Sequence, residues 1–378
     1  MRILALNYEF PPIGGGGGSA HRNLIQEWAA MDDVELTLIA PSVETQTVDL
    51  SERARLLLYA FPKRDMRYWR RGEVLRFLWR FHQLVRAHLR EHSYDLIHAF
   101  FGFPTGLLAY RLCGDTPYIV SVRGSDVPGY NQRFGLDYIV LKPLLQRIYS
   151  NAAAVVANSD GLKHLYENAF PHLSASVIPN GIDMDAFHPV EREWDGPLSL
   201  ISVGRMIPRK GFDVLLRACA VLHQDKIPFQ SHLVGDGPEE ANLKTLADEL
   251  GVSDRVIFHG GLTREQIAAL LPRCHAFVLP SYAEGMANAA LEAMACGLPL
   301  LLTDVGGSRE LIDGNGAIVP CGEVGALAEH LRNWLSAPNL LEQMGRRSRE
   351  RAQHFSWNAA AQMYRDLYLQ VLDSQKEK

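Results

Sequence analysis

The chain has 378 residues, 47% of them apolar and 21% charged, and a formal net charge of −5; this predicts two domains and gives no basic excess to recruit nucleic acid. Its five cysteines, Cys113, Cys219, Cys274, Cys296 and Cys321, are odd in number and lack C-x-x-C spacing, so they predict neither a disulfide framework nor a zinc site and fit a reducing cytoplasm. The opening M-R-I-L-A-L-N-Y holds too short an apolar core for a signal peptide, and no stretch approaches the roughly 20 apolar residues of a membrane span.

Short β-type runs alternate with helical patterns twice over. In the first half, 3–6, 35–39, 96–98, 118–122 and 154–157 read as strands. In the second half, 198–203, 231–234, 256–258, 276–279 and 300–302 do the same, with helices beginning near Gly211, Pro238, Arg264 and Ala287. The pattern predicts two doubly wound α/β domains with parallel sheets, whose ligands bind outside the carboxyl ends of the strands. The charged, Pro-bearing segment 189–197 has neither period and marks the boundary, giving domains 1–190 and 191–356.

The first strand leads to five consecutive glycines, Gly14 to Gly18. Such a run costs backbone entropy and suggests that backbone approaches a ligand closely. A dinucleotide-binding loop is the obvious alternative, and two facts oppose it. The loop is longer than G-x-G-x-x-G, and the second strand ends in Ile39-Ala40-Pro41, without the acidic residue a ribose would need. A flexible surface turn is the plainest reading.

Residues 63–90 carry nine Lys or Arg against Asp65 and Glu73. From Glu73 onward Val74, Phe77, Leu78, Phe81, Leu84, Val85 and Leu89 follow a helical stripe, with Arg76, Arg80, Arg86 and Arg90 largely off it and Tyr68, Trp69 and Trp79 nearby. Two readings fit: a core-packed helix with a solvated basic face, or a face that lies on an anionic membrane surface.

In the second half, G-R-M-I-P-R-K-G at 204–211 follows a strand and places Arg205 and Lys210 around a Pro-containing turn. An Arg fork and a Lys point charge suit diphosphate oxygens, although such a loop alone is commonly just solvated. The segment 280–297, P-S-Y-A-E-G-M-A-N-A-A-L-E-A-M-A-C-G, sets Glu284 in a loop and Glu292 about two turns into a helix. A helix start favours an anion, and the two carboxylates can bracket one ligand; the alternative is that they merely cap and solvate the helix.

The motifs in order resemble a family 4 retaining glycosyltransferase of the two-Rossmann-domain architecture called GT-B. They are F-P-P-x-x-G-G near the start, D-L-I-H-A-F at 95–100, S-V-R-G-S-D at 121–126, V-I-P-N-G-I-D-M-D-A-F at 177–187, G-R-x-x-x-x-K-G at 204–211, V-G-D-G-P at 234–238 and E-G-M-A-N-A-A-L-E-A-M-A-C-G-L-P at 284–299. The resemblance implies two Rossmann-like doubly wound domains facing across a cleft, and a final helix, 357–378, packing back on the first. It implies transfer from a nucleotide diphosphate sugar, a UDP-sugar favoured and GDP-mannose open, to a glycan or lipid-linked acceptor. Neither cofactor nor metal is expected, and Asp183-Met184-Asp185 is read as a turn and helix start.

By the same similarity Arg205 and Lys210 would stabilise charge on the departing diphosphate. Glu292 would take ribose hydroxyls, Glu284 and the backbone of Gly285, Met286, Ala287 and Asn288 would meet sugar and phosphate, and Phe258 and Gly260 would face the base. Gly15 and Gly16 would meet the phosphate from the first domain. Many relatives carry a histidine where this chain has Arg123, which leaves His98, Arg123 and Asp126 as candidates on the acceptor or sugar side. A sugar-nucleotide epimerase or a non-catalytic carbohydrate-binding protein of the same architecture is the alternative. The expected place is the cytoplasm, at the inner face of the membrane if the basic segment binds it.

Overall fold

The computed structural model describes residues 1–66, 68–130, 135–192 and 196–376. Arg67, part of the expected boundary segment (193–195) and the last two residues of the expected terminal helix lie outside the described residues. The chain divides into two units, Met1–Asn180 with Trp357–Lys378, and Gly181–Ser356. The division precedes the expected boundary at 190 because the intervening segment bonds to the second unit. The Ile182 N–H donates to the Phe355 carbonyl at 2.9 Å, and the Arg349 guanidinium donates to the Phe187 carbonyl at 2.9 Å.

Unit 1 runs β1 (Arg2–Leu6), α1 (Gly16–Ala29), β2 (Glu35–Ser42), β3 (Gln46–Ser51), β4 (Ala54–Ala60), α2 (Arg71–Glu91), β5 (Leu96–Phe100), α3 (Leu107–Leu112), β6 (Tyr118–Ser121), α4 (Gly135–Ser150), β7 (Ala154–Ala157), α5 (Asp160–Ala169) and β8 (Ser176–Val177). Its sheet has the order β3-β4-β2-β1-β5-β6-β7-β8, parallel except where β3 pairs antiparallel with β4. The central strands are apolar on both faces because helices cover both; β5 and β6 are buried at every residue. The hairpin β3–β4 escapes the sequence pattern because β3, Q-T-V-D-L-S, is mostly exposed and its two apolar residues, Val48 and Leu50, are too few to mark a strand.

Unit 2 runs β9 (Leu198–Val203), α6 (Phe212–Gln224), β10 (Phe229–Val234), α7 (Glu240–Glu249), β11 (Val256–Gly260), α8 (Arg264–Leu270), β12 (Ala276–Leu279), α9 (Asn288–Ala295), β13 (Leu300–Thr303), α10 (Ser308–Leu311), β14 (Gly316–Val319), α11 (Val324–Leu335) and α12 (Pro338–Ala352). Its paired strands are all parallel, in the order β11-β10-β9-β12-β13-β14. Thr263 starts α8 with a capping box closed by Gln266.

The last helix, α13 (Trp357–Lys376), belongs to unit 1. Trp28 of α1, fully buried, donates its indole N–H to the Ala361 carbonyl at 3.2 Å and meets Tyr364 edge-on at 5.6 Å. Truncating such a residue to alanine costs about 3–5 kcal/mol. Helix α2 spans the basic segment with Phe77, Phe81 and Val85 in the core. Lys63 is withdrawn from the basic surface: its ammonium lies 3.8 Å from the Trp69 ring centroid and 3.3 Å from Glu73. The glycine run is not a long loop. Helix α1 begins at Gly16, and a Cβ on Gly18 would come 2.7 Å from the Glu9 carbonyl oxygen, so the helix approaches the preceding turn as only glycine permits.

Candidate active site

In an open parallel sheet the crevice for ligands opens where the strand order reverses. In unit 2 that point lies between β9 and β12. The loops that follow these two strands are the Arg205–Lys210 turn and the segment from Pro280 to Ala287, so the topology alone brings the two sequence motifs side by side.

The contact is direct. The Lys210 ammonium lies 2.5 Å from Glu284 Oε1, both side chains being largely enclosed, and the Ser281 hydroxyl donates to the same oxygen at 2.7 Å. Burial pushes the Glu284 carboxyl up, but Lys210, Arg209 and the Ser281 hydroxyl outweigh it and hold the group below its ordinary value. Gly211 closes the Arg-Lys turn in the left-handed region at φ 65°, and a side chain there would collide with the Pro280 carbonyl. Arg209 donates to the Ala283 carbonyl at 3.0 Å and the Tyr282 N–H to the Arg209 carbonyl at 2.8 Å, which pins one loop to the other. Arg205 is half-buried on the same turn.

Helix α9 starts at Asn288 with no side chain capping it, a start suited to an anion. Glu292 therefore lies just over one turn into the helix, not the two turns expected. Its carboxyl is pushed up to about 7 by burial, opposed only in part by Arg264. Among the described hydrogen bonds none reaches this carboxylate, so it remains an acceptor for hydroxyl groups. Phe258 lies within β11 and Gly260 ends it, where the Gly260 carbonyl accepts the Gly235 N–H at 2.8 Å. Asp183 is engaged elsewhere: it accepts the Ala186 N–H at 2.9 Å and pairs with Arg264 at 2.9 Å, as a turn residue does.

Residues 14–186 match the model of Glycosyltransferase Family 4, and residues 183–351 match that of Glycosyl transferases group 1. The chain belongs to this glycosyltransferase family. It is 24% identical over 384 residues to an uncharacterised glycosyltransferase of Methanocaldococcus jannaschii, covering 99% of both chains. The D-inositol 3-phosphate glycosyltransferase of Streptomyces avermitilis is 31% identical over 223 residues, which is 54% of this chain and about half, 48%, of that enzyme. Among solved structures, sucrose-phosphate synthase from Thermosynechococcus elongatus superposes with a TM-score of 0.83 at 24% identity, over 99% of this chain and 100% of that one. Anabaena HepE in complex with UDP and glucose does so with 0.74 at 20%, over 97% and 99%. These structural likenesses show that the fold is that of the GT-B enzymes.

The acceptor-side candidates of the glycosyltransferase lie in unit 1 and are held inward. His98 is fully buried, with Nδ1 2.7 Å from the Tyr368 hydroxyl and Nε2 2.8 Å from the Ser121 hydroxyl. Both ring nitrogens are occupied, and burial together with Arg123 lowers its pKa well below 6.5, so the ring is a neutral part of the core. Arg123 donates to Asn180 Oδ1 at 2.8 Å, bonds the Tyr364 hydroxyl at 3.4 Å and covers the Phe100 ring at 4.8 Å. Asp126 accepts the backbone N–H groups of Gly102, Arg123 and Gly124 at 2.8, 2.9 and 3.0 Å, which ties the end of β6 to the end of β5. Burial raises its pKa, partly offset by those N–H donors. Gly15 and Gly16 form the start of α1, where the Gly15 N–H donates to Glu9 Oε2 at 3.5 Å.

Two contributors escaped the motif reading. Ser281 orients Glu284, and the Gly307 N–H donates to the Gly285 carbonyl at 2.7 Å, supporting the loop before α9. The signal available was the Gly306-Gly307 turn directly after β13, a strand end facing the same crevice.

Proposed function

We propose that the protein is a retaining hexosyltransferase that moves a sugar from a UDP-sugar to a glycan or lipid-linked acceptor without a divalent metal, in synthesis of cell-surface glycans. The observation that carries this reading is the enclosed Lys210–Glu284 pair at 2.5 Å beside Arg205 and the uncapped start of α9. Cations in a partly dry crevice are worth most where charge develops, here on the diphosphate as the glycosidic bond lengthens. Arg205 and Lys210 stabilise that charge, and Glu284, released from Lys210 by the incoming phosphate, accepts sugar hydroxyls. Glu292 takes the ribose, the backbone of Gly285, Met286, Ala287 and Asn288 meets sugar and phosphate, and Phe258 and Gly260 face the base. In unit 1 the start of α1 at Gly15 and Gly16 meets a phosphate through the positive end of its helix dipole. UDP is favoured because Anabaena HepE, of the same fold, binds UDP and glucose.

The acceptor hydroxyl attacks the anomeric carbon from the face the diphosphate leaves, and a departing phosphate oxygen takes its proton. With His98 closed off in the core, no side-chain base is needed in this scheme. The test is nucleotide release by the purified protein: UDP should accumulate with donor and acceptor together, beyond slow hydrolysis, and the product anomer should match the donor by NMR. Conversion of the donor sugar without any acceptor would instead mark an epimerase.

A further inference from the structure

The exposed side of α2 has no role in the donor site, yet it carries an unusual combination of groups. The four most exposed large apolar side chains among the described residues are Val140 at 77%, Trp79 and Ile139 at 71%, and Leu75 at 66%. They fall in the first halves of two helices, α2 and α4. Both helices link strands that step the same way across the sheet, β4 to β5 and β6 to β7, so right-handed crossovers place them on one face. Helix α3 packs against both. Because each helix runs back against its parallel strands, these first halves lie at the carboxyl edge of the sheet, the edge that also bears the glycine run.

Cations surround the apolar residues. Arg71, Arg76, Arg86 and Arg90 of α2, Arg111 of α3, and Lys142 and Arg147 of α4 are exposed. The acids of α2 are Glu73, tied to Lys63 and to the Arg70 N–H, and Glu91 at its far end. A groove of about 250 Å³ between α2 and α3 is floored by Leu78, Leu107 and Leu108 and walled by Trp79 and Arg111. The residues that protrude are not the core-packed stripe read from the sequence: Leu75 and Trp79 lie off it.

We propose that this face of α2, α3 and α4 docks on an anionic lipid bilayer. Interfacial helices combine projecting Trp and aliphatic side chains, which enter the acyl boundary, with Arg and Lys that reach back to phosphate headgroups. A second copy of the chain fits poorly, since a two-fold contact through this face would set the same arginines against one another. The docking deepens the glycosyltransferase reading, because a lipid-linked acceptor is met at such a surface, but it stands or falls on its own measurement.

That measurement is co-sedimentation of the full chain, without donor, with vesicles of phosphatidylcholine alone or with about 30% phosphatidylglycerol, whose surface charge attracts each basic residue. The protein should pellet with the anionic vesicles, be released as salt rises through the screening range, and stay in solution with the neutral ones. Leu75→Ser with Trp79→Ser, and separately Arg76→Glu with Arg86→Glu, should each weaken binding by about tenfold or more. Ile139→Ser with Val140→Ser should weaken it less. All six positions are exposed, so melting temperature and its shift by UDP should not change, and that shift reads the donor site separately. Equal partition to both vesicle types, salt-independent pelleting, or variants that bind like the parent would overturn the proposal. So would a dimer of the parent protein, abolished by Leu75→Ser with Trp79→Ser, in the absence of vesicle binding.

Discussion

The two units place charged and polar residues at the carboxyl ends of their strands in opposite ways. In unit 2, Lys210 and Glu284 answer each other across the switch point, and the Glu292 carboxylate keeps no described partner. In unit 1, His98 within β5 and Arg123 and Asp126 just after β6 spend their hydrogen bonds on Tyr368, Ser121, Asn180 and the backbone. One architecture thus supports a charged crevice in unit 2 and a locked internal network in unit 1. The difference lies in whether a strand-end side chain meets a facing loop or a packed helix, and α13 is that helix in unit 1.

The largest effect is expected in unit 2. Arg205→Ala or Lys210→Ala should lower kcat by about 100-fold or more with little change in acceptor KM, as expected when leaving-group charge loses its counter-ion. Near-normal turnover in steady-state assays would remove the leaving-group role. In unit 1 the expected effect is on stability. His98→Ala takes away the partner of the Tyr368 hydroxyl and one of the two partners of the Ser121 hydroxyl, which also meets Tyr364, and should cost about 2–4 kcal/mol by denaturant unfolding, while the folded fraction keeps turnover within severalfold. A loss of kcat without a loss of stability would show that His98 acts in the reaction.

Glu292 gives a smaller effect with a definite sign. Its folded pKa of about 7 exceeds the ordinary value of 4.5, so the stability it contributes is present below pH 4.5 and is lost as pH rises through 7. Glu292→Gln removes this penalty. The variant should match the parent near pH 4 and exceed it at pH 8 by on the order of 2 kcal/mol, trimmed by the partial opening of the group to water. Melting curves across that range check it; an advantage that grows towards acid would be the wrong sign. Smallest of all, Arg123→His should change kcat by less than about threefold, because the guanidinium serves Asn180 and Tyr364, and removing such bonds costs about 1–3 kcal/mol of stability instead.

Most strands and the order of the motifs were legible because parallel strands buried on both faces read as unbroken apolar runs, as in 276–279 and 300–302. The hairpin β3–β4 was not, since an edge strand such as Q-T-V-D-L-S needs no apolar face. Neither was the start of α1 at Gly16, because glycine is a poor helix former and its use here answers to the close carbonyl of Glu9. At the site, residue types and spacing pointed to Lys210 and Glu284 separately. Their pairing depends on which strands flank the switch point, a property of topology. The inward turn of His98 was equally out of reach, because its partner Tyr368 comes from a helix 270 residues away in the chain.

Calorimetric titration of UDP into the full chain tests most directly whether unit 2 holds the donor. UDP should bind the parent protein more tightly than GDP or ADP, with affinity falling at least about tenfold in Lys210→Ala and in Glu292→Gln, the loss expected for a charged or ribose hydrogen bond. UDP binding of unchanged affinity in both variants would contradict a donor site there.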